Sequence, residues 1–156
     1  MDTTEMDKMW ADMAPALRAL LAEPRRAVSA GTSWPKAAGV YAMFEGDKCL
    51  YVGRTRDVRA RMRSHCADSS THHSASFAFR LARAKLKYEP ATYRTEGGRS
   101  DLAGRPEFNA EFRCQRRRVG AMLAAFVELT DDDAQALFEI YAAKCLRAEH
   151  SKFRTT

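Results

Sequence analysis

The 156-residue chain is long enough for one domain with a real core and too short for two of ordinary size. Hydrophobic residues at 46% and charged residues at 29% exclude a chain that is disordered throughout. Lys and Arg number 26 against 20 Asp and Glu, a net charge of +6 that favours a polyanionic partner, nucleic acid first.

Residues 4 to 22 carry Met6, Met9, Met13, Leu17, Leu20 and Leu21 at three- and four-residue steps, which predicts a helix with one packing face. Pro15 predicts a kink within it, and Pro24 with Arg25 and Arg26 ends it. Ser29 to Lys36 reads as an ordered linker. Val40 to Phe44 and Cys49 to Val52 are short aromatic and β-branched runs around the polar turn Glu45-Gly46-Asp47-Lys48, the pattern of a hairpin. Gly53 would let the chain leave the second strand abruptly, and Asp57 would cap a helix running to about Cys66.

A polar loop follows to Ser76. Phe77 to Tyr88 returns to helical spacing, with Phe77, Leu81, Ala84 and Tyr88 on one side and Arg80, Arg83 and Lys87 on a basic side. Glu89 to Arg105 reads as a surface loop. Pro106 suits the first turn of a helix whose Phe108, Phe112 and Val119 face inward and whose Arg113 and Arg116 to Arg118 are exposed. Met122 to Leu129 is almost entirely apolar and reads as a third, central strand. Thr130 to Asp133 has capping-box spacing, and the last helix runs to about Ala148 with Ala134, Leu137, Phe138, Tyr141 and Cys145 as its stripe. This order predicts an α/β fold, a small sandwich with a three-stranded antiparallel or mixed central sheet flanked by helices. No apolar run reaches the roughly 18 residues of a membrane span, and the acidic N-terminus does not resemble a signal peptide. Cys49, Cys66, Cys114 and Cys145 show no zinc-site spacing, which points to free thiols and a cytoplasmic protein.

The densest chemistry lies between Gly39 and His65. Tyr41 starts the first strand and Tyr51 ends the second, so an antiparallel hairpin brings the two phenols together. In the following helix Val58 and Met62 mark the buried stripe, Arg61 lies on its flank, and His65 stacks over Arg61 one turn on. Two phenols, a guanidinium and an imidazole then meet at one border of sheet and helix. Such a set suits phosphodiester chemistry: an arginine can hold phosphate oxygens, and a phenol beside a cation can orient or deprotonate water. The same residues also read as half-buried strand aromatics and a solvated arginine face.

The triplets Gly39-Val40-Tyr41 and Tyr51-Val52-Gly53, with Arg61 and His65 after them, resemble the GIY-YIG nuclease superfamily, in which such triplets lie on a hairpin. The resemblance runs from about Gly39 to Phe153, so residues 1–35 form an N-terminal helix and linker and residues 36–156 a GIY-YIG nuclease-like domain. It implies a metal-dependent endonuclease acting on DNA, RNA not excluded, with Tyr41 as general base or its relay, Tyr51 positioning water, and Arg61 clamping the scissile phosphate with help from His65. It also implies one divalent ion, Mg²⁺ or Mn²⁺, on a glutamate of a later helix, for which Glu139 is the best match. Many relatives carry an asparagine shortly before a late phenylalanine; here Ser151 stands near that position before Phe153. Arg54, Arg56, Arg80, Arg83, Arg116, Arg117 and Arg118 are candidate contacts to the nucleic-acid backbone. Two other readings stay open: a degenerate module that binds nucleic acid without cutting, and a protein-interaction module using the N-terminal Met/Leu stripe. The oligomeric state is left open, a dimer included.

Overall fold

Every strand of the computed structural model, which describes residues 2–88, 96–151 and 153, belongs to one antiparallel sheet. Helix α1 (Thr4–Ala22) leads into β1 (Arg26–Ala27), a turn of 3-10 helix at Gly31–Ser33, and the hairpin of β2 (Gly39–Glu45) and β3 (Lys48–Thr55). Then come α2 (Val58–Cys66), α3 (Ser76–Lys85), α4 (Arg99–Ala103), α5 (Pro106–Ala121), β4 (Leu123–Glu128) and α6 (Asp132–Cys145). The sheet order is β1-β4-β2-β3, so β2 is central and β3 forms an edge. The sheet has four strands where three were expected, because β1 is only two residues pairing with Leu123 and Ala124 and is too short to show a period in sequence.

Alternation along β2 divides the core in two. Tyr41 and Met43 face α2, α3 and α5 through Val58, Met62, Phe77, Leu81, Phe108, Phe112 and Val119. Val40, Ala42 and Phe44 face α1 and α6 through Met13, Leu20, Phe138, Ala142 and Ala143. Helices therefore cover both faces, and the N-terminal helix shares the second core. Of its predicted stripe Met13 and Leu20 are buried, whereas Met6 and Leu21 are exposed. The helix runs through Pro15 unbroken, with that residue on the exposed side where water can reach the freed carbonyl.

Two helix faces differ from the expected ones. In α6 the cap is Asp131, whose carboxylate accepts the Ala134 N–H at 2.7 Å, and not Thr130. Gln135 turns inward with Ala134, Phe138, Ala142 and Ala143 because its amide donates to the Leu129 carbonyl at 2.7 Å, while Cys145 is exposed. In α5 Arg116 is buried, against the expectation of an exposed run. The segment after α2 folds over it, and Arg116 donates to Asp68 Oδ1 at 3.0 Å and to the Ser70 carbonyl at 3.1 Å. The loop expected over 89 to 105 contains α4, which Arg105 and the Gly97 N–H tie through Asp101; residues 89–95 lie outside the described residues.

Candidate active site

The hairpin register decides which side chains meet. Tyr41 pairs with Gly53 and Met43 with Tyr51, but Phe44 pairs with Cys49, so Leu50 is an extra residue in β3. This bulge resets the alternation: Cys49 packs in the α1/α6 core, while Leu50 and Tyr51 both face the α2/α3 side. Without it Tyr51 would share the face of Cys49 and point away from Tyr41. With it the two rings lie 6.1 Å apart. Gly53 sits between them. It is inside β3 and is not the exit from the strand that the sequence suggested; a Cβ there would stand 2.6 Å from Tyr41 Oη and 2.8 Å from Tyr51 Cε1. Gly39 is constrained in the same way, since a Cβ on it would stand 2.1 Å from the Val127 carbonyl oxygen of β4.

Tyr41 is fully buried. Its hydroxyl lies 2.8 Å from His65 Nε2 and accepts from Arg61 Nε at 3.2 Å. One imidazole nitrogen of His65, Nε2, thus faces the phenol, and the other, Nδ1, is buried with no partner among the described residues. Burial, and next the Tyr51 charge, push the Tyr41 phenol far above its ordinary value despite Arg61. Burial and the Arg61 charge hold His65 well below the usual imidazole value, so it is neutral. Arg61 also donates to the Ser74 carbonyl at 3.1 Å and to Ser76 Oγ at 3.2 Å, and it lies beside both phenols. Four elements thus converge on one guanidinium: β2, α2, the loop before α3, and α3 itself.

On the solvent side Tyr51 stacks on Phe77, with ring centroids 4.6 Å apart, and Arg80 Cζ lies 5.7 Å from the Tyr51 ring. Tyr51, Val52, Arg80, Glu139, Ser151 and Phe153 line an open cleft of about 200 Å³ at the outer edge of β3. Glu139 reaches it from α6 on the opposite sheet face. Its side chain is 21% exposed, and its carboxylate lies 3.3 Å from Arg54 Nε. Burial raises its pKa, opposed by Arg54 and Arg80. Ser151 closes the end of the cleft: its Oγ accepts the Val52 N–H at 2.8 Å and donates to the Val52 carbonyl at 3.1 Å.

Of the residues predicted for catalysis, the structure brings Tyr41, Tyr51, Arg61 and His65 into one cluster and sets Glu139 across the β3 edge from it. The predicted backbone contacts separate. Arg80 lines the cleft and Arg54 is beside it. Arg56 pairs with Asp132 at 3.2 Å, and Arg83 lies over Phe79. Arg117 is exposed, but Arg116 is buried, and Arg118 is held by both oxygens of Glu45 at 2.7 and 2.8 Å. Ser74, Ser76 and Phe77 were not foreseen as supports. Their signal is tertiary, because each acts on a residue from another element.

The GIY-YIG catalytic domain model matches residues 37–95. That match supports membership of the GIY-YIG nuclease superfamily. No curated protein and no solved structure matches the chain. The GIY-YIG match spans the hairpin, α2 and α3, hence Tyr41, Tyr51, Arg61, His65 and Arg80; Glu139 and Ser151 lie beyond it. The family is of nuclease type, its substrate is nucleic acid, and its members generally use a divalent metal. Among the described residues no three His, Cys, Asp or Glu side chains gather, and Glu139 is the one carboxylate among the residues lining the cleft. One carboxylate, without thiolate or imidazole beside it, fits a hard cation that keeps most of its water and takes further oxygens from a phosphate. No helix among the described residues is long and apolar enough to cross a membrane.

Proposed function

We propose that this chain is a metal-dependent endonuclease that hydrolyses phosphodiester bonds in DNA. The observation that carries the reading is the meeting at the β3 edge of Tyr51 with Glu139 and Arg80 in a cleft open to solvent, with Tyr41 buried behind Tyr51. Glu139 would hold Mg²⁺ or Mn²⁺; when bound, the ion would polarise the phosphate and stabilise the leaving oxygen. Tyr51 faces the cleft and positions the attacking water, and Arg80 takes a phosphate oxygen. Tyr41 is buried and protonated, which favours the relay role over that of a free base: its oxygen lies within hydrogen-bond reach of His65 Nε2, and Arg61 stands ready to stabilise charge arriving on it. Arg61 donates to Tyr41, Ser74 and Ser76, which supports a task of holding the Tyr41 phenol beside that of clamping the scissile phosphate with the N–H groups left over. Four unpaired thiols support a cytoplasmic setting.

A second reading has its own support. Arg54 occupies the Glu139 carboxylate, and a GIY-YIG module that binds without cutting would keep that ion pair. The N-terminal stripe places Met13 and Leu20 in the core, which gives the protein-interaction reading less to stand on. A plasmid-nicking assay with Mg²⁺ or EDTA decides between cutting and binding. The wild type nicks only with metal, and Glu139→Ala and Tyr41→Phe each lose about 100-fold or more while still retaining DNA on a gel. Pure wild type that retains DNA without nicking it establishes the binding module instead.

A further inference from the structure

A second basin adjoins the cleft. Its volume is about 420 Å³, and Ala143, Lys144, Arg147, Glu149, Ser151 and Phe153 line it. Ser151 and Phe153 also line the Tyr51–Glu139 cleft, so the two hollows share one wall. Ser151 is the fixed part of that wall, bound to both backbone groups of Val52. Phe153 is its apolar part: the residue is 44% exposed, and its ring meets no other aromatic ring among the described residues. One side of the basin is α6. Ala143 follows Glu139 by one turn, and Lys144 and Arg147 come next, so the basin extends the Glu139 side toward the helix C-terminus. Both cations are exposed, and neither side chain has an ion-pair or hydrogen-bond partner among the described residues. Arg116 and Arg118, by contrast, are held by Asp68 and Glu45. The Glu149 carboxylate in the basin is paired with the Lys48 ammonium. Arg147 stands at φ 50, the left-handed position after a helix where glycine is the unstrained choice, and the Ala148 N–H closes the turn on the Ala143 carbonyl at 2.9 Å. A helix C-terminus favours positive charge in general, but it does not require a side chain at that backbone position.

We propose that Phe153, Lys144 and Arg147 form a nucleotide subsite beside the cleft, in which an unpaired base stacks on Phe153 and its phosphate lies between Lys144 and Arg147. An exposed ring with cations next to it is the arrangement that holds single strands: any base offers a face to the ring, and the backbone meets the charges. The proposal rests on the nuclease reading and narrows its substrate class to DNA with an unpaired base beside the cut, such as a single strand or an underwound stretch of a supercoiled plasmid. A relaxed duplex keeps its bases in the stack, away from the ring.

The test uses the full chain in EDTA, a labelled single strand and the same sequence as a blunt duplex, and fluorescence anisotropy over a range of salt. Phe153→Ala weakens binding of the single strand about tenfold, leaves the slope of log affinity against log salt unchanged and does not alter duplex binding; Phe153→Trp keeps the affinity. Lys144→Gln and Arg147→Gln each weaken single-strand binding several-fold and lower the slope by about 0.7. Arg147→Gly removes the charge where glycine suits the backbone, so binding weakens while the melting temperature stays at or above that of the wild type. Exposed Arg113→Gln on α5 serves as the charge control and leaves affinity near wild type. If the wild type binds and nicks while Phe153→Ala, Lys144→Gln and Arg147→Gln keep its affinity and slope, the subsite is overturned and the nuclease reading stands. If the wild type neither binds nor nicks, the nuclease reading falls and the subsite with it.

Discussion

In the proposed site, Tyr41 and Glu139 stand in opposite surroundings. Behind β3, the Tyr41 hydroxyl bonds to His65 and Arg61 in the core, and Gly53 leaves them just enough room. Along the outer edge, Tyr51, Arg80 and Glu139 face a cleft, held by stacking and by ion pairs that substrate could displace. The inner group is part of the core, so its chemistry and the stability of the fold cannot be separated. The outer group touches the core through the Tyr51 ring, which lies against Phe77, Tyr41 and His65, while Arg80 and Glu139 face solvent, so their chemistry can be lost while the fold survives. Damage inside should lower melting temperature and activity together; damage outside should lower activity alone.

The strongest way to break this contrast is Gly53→Ala. The new methyl would meet Tyr41 Oη at 2.6 Å and a Tyr51 ring carbon at 2.8 Å, and neither ring has space to yield, with Tyr41 bound to Arg61 and His65 and Tyr51 stacked on Phe77. Overpacking of this kind costs about 1–3 kcal/mol, and displaced reacting groups cost about 100-fold in rate. Denaturant melts and nicking rates measured on the same preparation should fall together. A variant that melts like the wild type but has lost its activity would show that the inner group is less tied to the core than its burial implies.

A gentler probe of the inner group is pH. His65 in the unfolded chain protonates near 6.5, while in the fold burial and Arg61 keep it neutral to far lower pH. The unfolded state therefore binds more protons as the solution is acidified. The stability that neutral His65 contributes is fully present above pH 6.5 and drains away as pH falls below it. Melts from pH 7.5 downward should show this loss, about one proton's worth of slope, and His65→Gln should flatten it whatever its absolute stability. An unchanged slope in that variant would place the titrating group elsewhere.

The same contrast explains what could be read before the structure. The hairpin, the α2 cap at Asp57 and the cluster of Tyr41, Arg61 and His65 follow from local order, because turn, strand ends and one helical turn lie within a few residues of each other. The bulge at Leu50 was not legible: both alternations are apolar there, and only the facing cores distinguish them. Arg80 and Arg116 look alike in sequence, each on a basic helix flank. Asp68 and Ser70 fold over one and leave the other open, and that choice belongs to a loop 46 to 48 residues away from Arg116. Glu139 reaches the site only because α6 packs on the far face and its side chain comes around the edge of β3. Family likeness could nominate it, and helical periodicity could not.

Ser151 tests the outer group at its smallest scale. As the edge strand, β3 turns the Val52 N–H and C=O outward, where an unpaired edge invites another strand. One hydroxyl takes both, accepting at 2.8 Å and donating at 3.1 Å, and the His150 N–H adds a bond to the Leu50 carbonyl at 2.9 Å. The chain after α6 is thereby pinned along β3 and forms the end wall beside Glu139. Ser151→Ala gives up both bonds, but water can replace them at this half-exposed place, so the expected loss is about 1 kcal/mol or less. Nicking should fall only a few-fold, by less than the orientation losses that displaced reacting groups suffer, since the wall loosens while Tyr51, Arg80 and Glu139 keep their own supports. A collapse of activity as deep as that of Glu139→Ala would mean that the hydroxyl itself takes part at the phosphate, and Ser151 would then belong with the reacting groups and not with the wall.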